Sequence, residues 1–129
     1  MKRFIVQITT FITMLPVVIP VHVFAECSHP ETTAEQKACM YEDFLGLEKK
    51  LSASYKSALK SFSVQAEDKQ DAENARRKLS ASQKAWRVFR NKDCDVYSAL
   101  YPGNNAGQNV LQCEMDRTKQ RIRELEAFN

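Results

Sequence analysis

The chain has 129 residues and a formal net charge of +3, from 19 Lys and Arg against 16 Asp and Glu. That length supports one compact core but not two, which excludes multidomain readings. With only 3 glycines and an abundance of Ala, Lys, Glu and Leu, the composition is that of a globular domain biased toward helix.

Met1-Lys2-Arg3 supplies a positive start, and from Phe4 to Ala25 there is no Asp, Glu, Lys or Arg. Val23-Phe24-Ala25 closes this run with the small-residue pattern of a signal-peptidase site. Residues 1–25 are therefore expected to be a cleaved signal peptide, and residues 26–129 an exported domain, periplasmic or secreted. A retained transmembrane anchor is one rival, but Pro16 and Pro20 interrupt the apolar run and no basic stop-transfer cluster follows, so no membrane span is expected after processing. Lipidation of Cys27 is the other, opposed by Glu26, which is bulky and charged where lipidation sites carry a small residue. Lys2 and Arg3 leave with the leader, so 17 basic residues face 16 acidic ones. That balance argues against a dedicated nucleic-acid binder, whose phosphate contacts need a basic surplus.

Between Glu31 and Leu100 there is no proline and a single glycine, Gly46, a stretch too long for strand or loop. Helix is the remaining option. The first helix is expected to start near Thr32 or Thr33, since Thr32-x-x-Glu35 and Thr33-x-x-Gln36 are both capping boxes. Its apolar stripe runs Met40, Phe44, Leu47, Leu51, Tyr55, Ala58 and Phe62 at helical spacing. A turn is expected around Ser63 to Lys69. The second helix carries Ala72, Ala75, Leu79, Ser82, Trp86, Phe89, Asp93, Val96 and Leu100 at steps of three or four, a stripe that weakens at Ser82 and Asp93. Tyr101-Pro102-Gly103-Asn104-Asn105-Ala106-Gly107 breaks it with a strong loop signal. A third helix follows from about Gln108 to Ala127, with Val110, Leu111, Met115, Ile122 and Leu125 as core candidates. The fold class is thus all-α: a disulfide-bonded, antiparallel three-helix bundle with long helices.

All four cysteines, Cys27, Cys39, Cys94 and Cys113, follow the leader, and export favours disulfides. The bundle brings the start of helix one, the end of helix two and the start of helix three together. Proximity there permits all three connectivities; Cys27 with Cys39 and Cys94 with Cys113 are preferred because each closes a short loop. A metal site from these thiols and His29 is disfavoured, because the cysteine spacings match no zinc-binding pattern.

Enzymatic chemistry has little to stand on. After the leader there is one histidine, His29, and no nucleophile elbow, phosphate-cradling loop or HExxH. Neither catalysis nor a cofactor is expected. Close carboxylates such as Glu42 with Asp43, or Asp93 with Asp95, read as solvated helix surface. Arg76, Arg77, Lys78, Lys84, Arg87, Arg90 and Lys92 form a basic run without an acid, which reads as a solvated face rather than a nucleic-acid or membrane site. Glu26, Glu31, Glu35, Glu42, Asp43 and Glu48 face only Lys37, so the cysteine end is acidic.

Gln83-x-x-Trp86-x-x-x-Arg90-x-x-x-Cys94 places four residues on one helix face. Trp86 is expected to anchor the core, with Arg90 covering its ring or bonding a neighbouring oxygen. At this motif the sequence resembles the LprI-like lysozyme inhibitors, small exported helical proteins of bacteria. The resemblance runs from Cys27 and Cys39 through Leu51-Ser52-x-x-Tyr55, the Gln83 to Cys94 motif with Phe89, the Pro-Gly loop, and Cys113 followed by Thr118-x-x-Arg121-x-x-x-Leu125. Ser52 stands where the family usually has asparagine, Asn91 where it has aspartate, and Arg117 where it has an apolar residue. The resemblance implies an all-helical domain that binds and blocks a peptidoglycan-degrading enzyme.

The functional expectation is accordingly an exported binding protein that inhibits lysozyme or another cell-wall hydrolase. An immunity protein against a delivered wall-targeting toxin and a structural envelope component are the alternatives. An inhibitor must plug or cover a cleft containing two carboxylates. Tyr101, Asn104, Asn105 and Gln108, in and beside the loop, are the candidate partner-binding residues, because they offer neutral hydrogen-bonding groups. The acidic end around them would steer a cationic lysozyme.

Overall fold

A computed structural model describes residues 32–103 and 105–129. The expected signal peptide, Cys27, His29 and Asn104 lie outside the described residues. Three helices account for nearly all of the rest: α1 (Thr33–Gln65), α2 (Lys69–Leu100) and α3 (Ala106–Glu126). At the α-helical rise, the first two are each about 50 Å long and the third about 30 Å.

Each boundary has a local cause. Thr32 is the N-cap of α1 in a complete capping box: its hydroxyl accepts from the Glu35 amide at 3.2 Å, and the Glu35 carboxylate accepts from the Thr32 amide at 2.9 Å. Three residues then turn the chain, and the Asp68 carboxylate caps α2 by accepting from the Asp71 amide at 2.9 Å. The second turn depends on Gly103, whose φ of +118° lies in a region closed to residues with a Cβ. Neither turn is long enough to let the helices splay into separate units.

α3 lies in the furrow between the two long helices and packs most extensively on α1. The apolar core is Leu51 and Ala58 from α1, Leu79 from α2, and Ile122 and Leu125 from α3, with Leu47, Tyr55, Leu59, Phe62 and Trp86 packed around it. This core occupies the half nearer the α1–α2 turn. There the C-terminal residues are fastened back onto α1: Ser61 and Gln65 both donate to the Phe128 carbonyl, and the Phe128 ring meets Phe62 edge-on at 5.6 Å.

The expected stripe on α2 needs correction. Leu79 is buried, but Phe89, Val96 and Leu100 are exposed, and the buried face instead runs Ala72, Leu79, Gln83, Arg90 and Cys94. The cause is geometric. Cys94 is bonded to Cys113 of α3, which fixes the face α2 turns inward, and Phe89, Val96 and Leu100 fall on its flank. Cys39 is disulfide-bonded as well, while its preferred partner Cys27 lies outside the described residues. On α3, Met115, Ile122 and Leu125 are buried and Val110 and Leu111 partly so; Thr118 and Arg121 join them in the interior.

Candidate functional site

Below the apolar core, toward the α2–α3 loop, the interior becomes polar. Arg90, only 5% exposed, donates to the Glu48 carboxylate, to the Thr118 hydroxyl at 2.9 Å, and to the Asn91 side-chain oxygen at 3.1 and 3.2 Å. Its guanidinium lies over Phe44 at 5.4 Å and over Trp86 at 5.2 Å. Arg87 reaches the second oxygen of Glu48 at 2.8 Å. Thr118, fully buried, donates a hydrogen bond from its own hydroxyl to the Glu114 carbonyl at 2.6 Å. On the other side of Trp86, Arg121 donates to Gln83 at 3.0 Å, to Ser82 at 3.2 Å and to Glu124 at 2.9 Å. Among the described residues no buried side-chain polar atom lacks a partner.

Gln83, Trp86 and Arg90 are therefore a structural seam between helices. Gln83 and Arg90 are buried, while Trp86 is half-buried with arginines against its ring. Asn91 carries no charge, and the carboxylate that Arg90 needs comes from Glu48 of α1. Arg117, the one charged departure, pairs with Asp93 at 2.8 Å and covers the Phe89 ring at 5.8 Å. Burial pushes the Glu48 carboxyl up, but the hydrogen bonds from Arg90 and Arg87 outweigh it and hold the group below the ordinary glutamate value. Glu114 shows the opposite: burial raises its carboxyl, Arg90 opposes this and the charge of Glu48 adds to it. These shifts come from packing of the seam.

The loop end has a different surface. Of the nine large hydrophobic residues exposed in the described chain, six lie close together in sequence: Val88, Phe89, Val96, Tyr97, Leu100 and Tyr101. Phe89, Val96 and Leu100 are spaced by seven and four residues and share one flank of α2, and Tyr97 stacks on Tyr101 with centroids 6.2 Å apart and planes 16° from parallel. Of the expected partner-binding residues, Tyr101 is 55% exposed at the end of this strip, Asn105 is exposed as the N-cap of α3 with no side-chain cap bond, and Gln108 is half-buried. Tyr97 and Leu100 were not among the expected binding residues. Leu100 was signalled in the sequence by the Phe89, Val96 and Leu100 spacing, which is incompatible with an inward-facing Cys94, whereas Tyr97, three residues after Cys94, carried no such signal.

Charge divides the molecule in the same way. Residues 32–48 and 87–117 carry eight Asp and Glu against five Lys and Arg, whereas residues 49–86 and 118–129 carry six against twelve. Glu48, counted among the acids of the loop half, is engaged by Arg87 and Arg90 and adds little to the outer field. Among the described residues the one group of metal-ligand type that comes together, Asp93 with Cys94 and Cys113, has both sulfurs committed to the disulfide. Among the described residues no helix is long and apolar enough to cross a membrane.

Against known proteins, the family model described as "Lysozyme inhibitor LprI" matches residues 25–125. No curated protein matches the chain, and no solved structure matches it.

Proposed function

Because the chain belongs to the lysozyme inhibitor LprI family, we propose that it is an exported binding protein whose loop end docks on a lysozyme or a related peptidoglycan hydrolase. The observation that carries this reading is the strip of exposed apolar and aromatic side chains from Phe89 to Tyr101, continuous with the α2–α3 loop. Such a strip costs solubility unless a partner covers it, and tyrosine is among the residue types enriched at the energetic centres of protein interfaces. Tyr97, Leu100 and Tyr101 supply contact area, and Asn104, Asn105 and Gln108 supply the neutral hydrogen-bonding rim. The acidic surplus of this half steers a cationic enzyme toward it, an effect that acts on the association rate and weakens with salt.

In this reading residues 1–25 are the signal peptide and the working protein begins at Glu26 in the periplasm, where its substrate-degrading target operates. The mass of the recovered protein tests that part. The function itself is tested by inhibition of a panel of purified lysozymes by the wild type and by a Tyr97→Ala, Leu100→Ala, Tyr101→Ala variant. Inhibition by the wild type, with loss in a variant of unchanged melting temperature, is the expected result. If the wild type inhibits no wall hydrolase, the inhibitor reading fails and leaves an immunity role or a structural role in the envelope.

A further inference from the structure

The basic run of α2 does not stand alone in the folded chain. Three contacts set α1 and α2 in register along their length: Tyr55 with Ser80 at 2.8 Å, Arg87 with Glu48 at 2.8 Å, and Arg76 to the Leu59 carbonyl at 3.1 Å. These residues mark the seam between the two helices, and α3 packs on one side of it. Lys49, Lys56 and Lys60 recur at intervals of seven and four on α1, roughly a quarter turn around from the seam on the side away from α3, and all three are exposed. Arg77 and Lys84, exposed on α2, lie on the same outer side, and Arg87 sits between the helices. Two runs of cations far apart in sequence thus share one broad face. From Lys49 to Lys60 it extends about 16 Å, and the helix axes that carry it are about 8 to 10 Å apart. Lys49, Lys56, Lys60, Arg77 and Lys84 form no ion pair among the described residues, and the carboxylate of Glu48 is already engaged by Arg87 and Arg90.

We propose that this face binds the anionic phospholipid surface of a membrane, laying the bundle flat upon it. The charge array meets the chemistry of such a surface: many weakly localised cations on a broad, convex two-helix surface, suited to a sheet of phosphates rather than to one phosphate held in a pocket. Nucleic acid fits less well. No aromatic ring is exposed between residues 49 and 60 of α1 or 77 and 87 of α2, so bases would find nothing to stack on. The apolar strip of α2 lies on the flank beside α3, where Phe89 touches Arg117, so a bundle held by its basic face keeps its partner-binding end free. The proposal goes beyond the inhibitor reading and does not depend on it.

The test is sedimentation of the protein with vesicles of phosphatidylcholine alone and of phosphatidylcholine with phosphatidylglycerol, at low and high salt. Two variants are compared, each losing two positive charges: Lys56→Gln with Lys84→Gln, one from each helix of the face, and Lys119→Gln with Arg123→Gln on the back of α3. Binding should require phosphatidylglycerol, fall with salt, and drop about tenfold or more in the Lys56 and Lys84 variant while the α3 variant changes much less. Equal binding to uncharged vesicles, equal loss in the two variants, or binding to duplex DNA in preference to the charged vesicles would overturn it. Lysozyme inhibition by the same variants, measured without vesicles, should be unchanged, which separates failure of this proposal from failure of the inhibitor reading.

Discussion

The two ends of the bundle are built on different principles. Toward the α1–α2 turn, Leu51, Ala58, Leu79, Ile122 and Leu125 form a conventional apolar core, and the C-terminal residues are hydrogen-bonded back onto α1. Toward the α2–α3 loop, the interior is held by the Arg90, Glu48 and Thr118 contacts and by the Cys94–Cys113 disulfide, while large apolar side chains stand outside. Apolar burial is the less expensive way to stabilise a helix bundle, so an end that turns its apolar residues outward and relies on charge and a covalent bond has another use for them. We propose that the loop end uses these outward side chains for recognition, its own stability resting on the polar seam and the disulfide.

The largest expected loss comes from breaking the polar seam. Arg90→Ala leaves Glu48 half-buried beside a single, more exposed arginine and strips the cover from Trp86; removing one member of a buried pair typically costs about 3 to 5 kcal/mol, which chemical denaturation would read directly. Replacing both Cys94 and Cys113 with serine should cost about 3 kcal/mol, the scale for a loop of comparable length, and should lower the melting temperature of the oxidised protein but not of the reduced one. If this variant matches the oxidised wild type, the disulfide does not hold the loop end.

How much of this contrast could be read from the sequence differs between the two ends. The three helices, the Thr32 capping box and the loop at Pro102 and Gly103 were all legible, because caps, breakers and helical spacing are local signals. The core of α1 was legible for the same reason. On α2 two stripes competed: an apolar one through Phe89, Val96 and Leu100, and a polar one through Gln83, Arg90 and Cys94. Hydrophobicity favours the first, but Cys113 of the disulfide and the Glu48 and Thr118 partners of Arg90 come from other helices, and only tertiary contact decides for the second. Thr118 and Arg121 are buried for the same reason. Their partners, Arg90 for one and Gln83 and Ser82 for the other, lie on α2. The juxtaposition of Lys49, Lys56 and Lys60 with Arg77 and Lys84 was likewise invisible until the register of α1 on α2 was known.

A smaller effect sharpens the account of the seam. Glu114 has its carboxyl raised in the folded chain, so its contribution to stability is present in acid and is lost as pH climbs from the ordinary glutamate value, about 4.3, through the raised one. Glu48 is depressed, so its contribution is present above the ordinary value and is lost as pH falls through the lowered one. Glu114→Gln should therefore gain melting temperature relative to wild type as pH rises from about 4 to about 7, whereas Glu48→Gln should lose it. Parallel curves for the two variants would show that the carboxylates do not differ in environment as described.

The smallest expected effect on stability belongs to the apolar strip. Alanine at Tyr97, Leu100 and Tyr101 together should move the unfolding free energy by no more than about 1 kcal/mol, as is usual for exposed positions, while abolishing inhibition. The most direct test of the division between the two ends is a map of backbone amide shifts in the isotope-labelled protein as an inhibited lysozyme is added. Perturbation confined to residues 88–108 is the predicted result. Perturbation centred on residues 49–60 of α1 and 77–87 of α2, with the loop end unmoved, would contradict it.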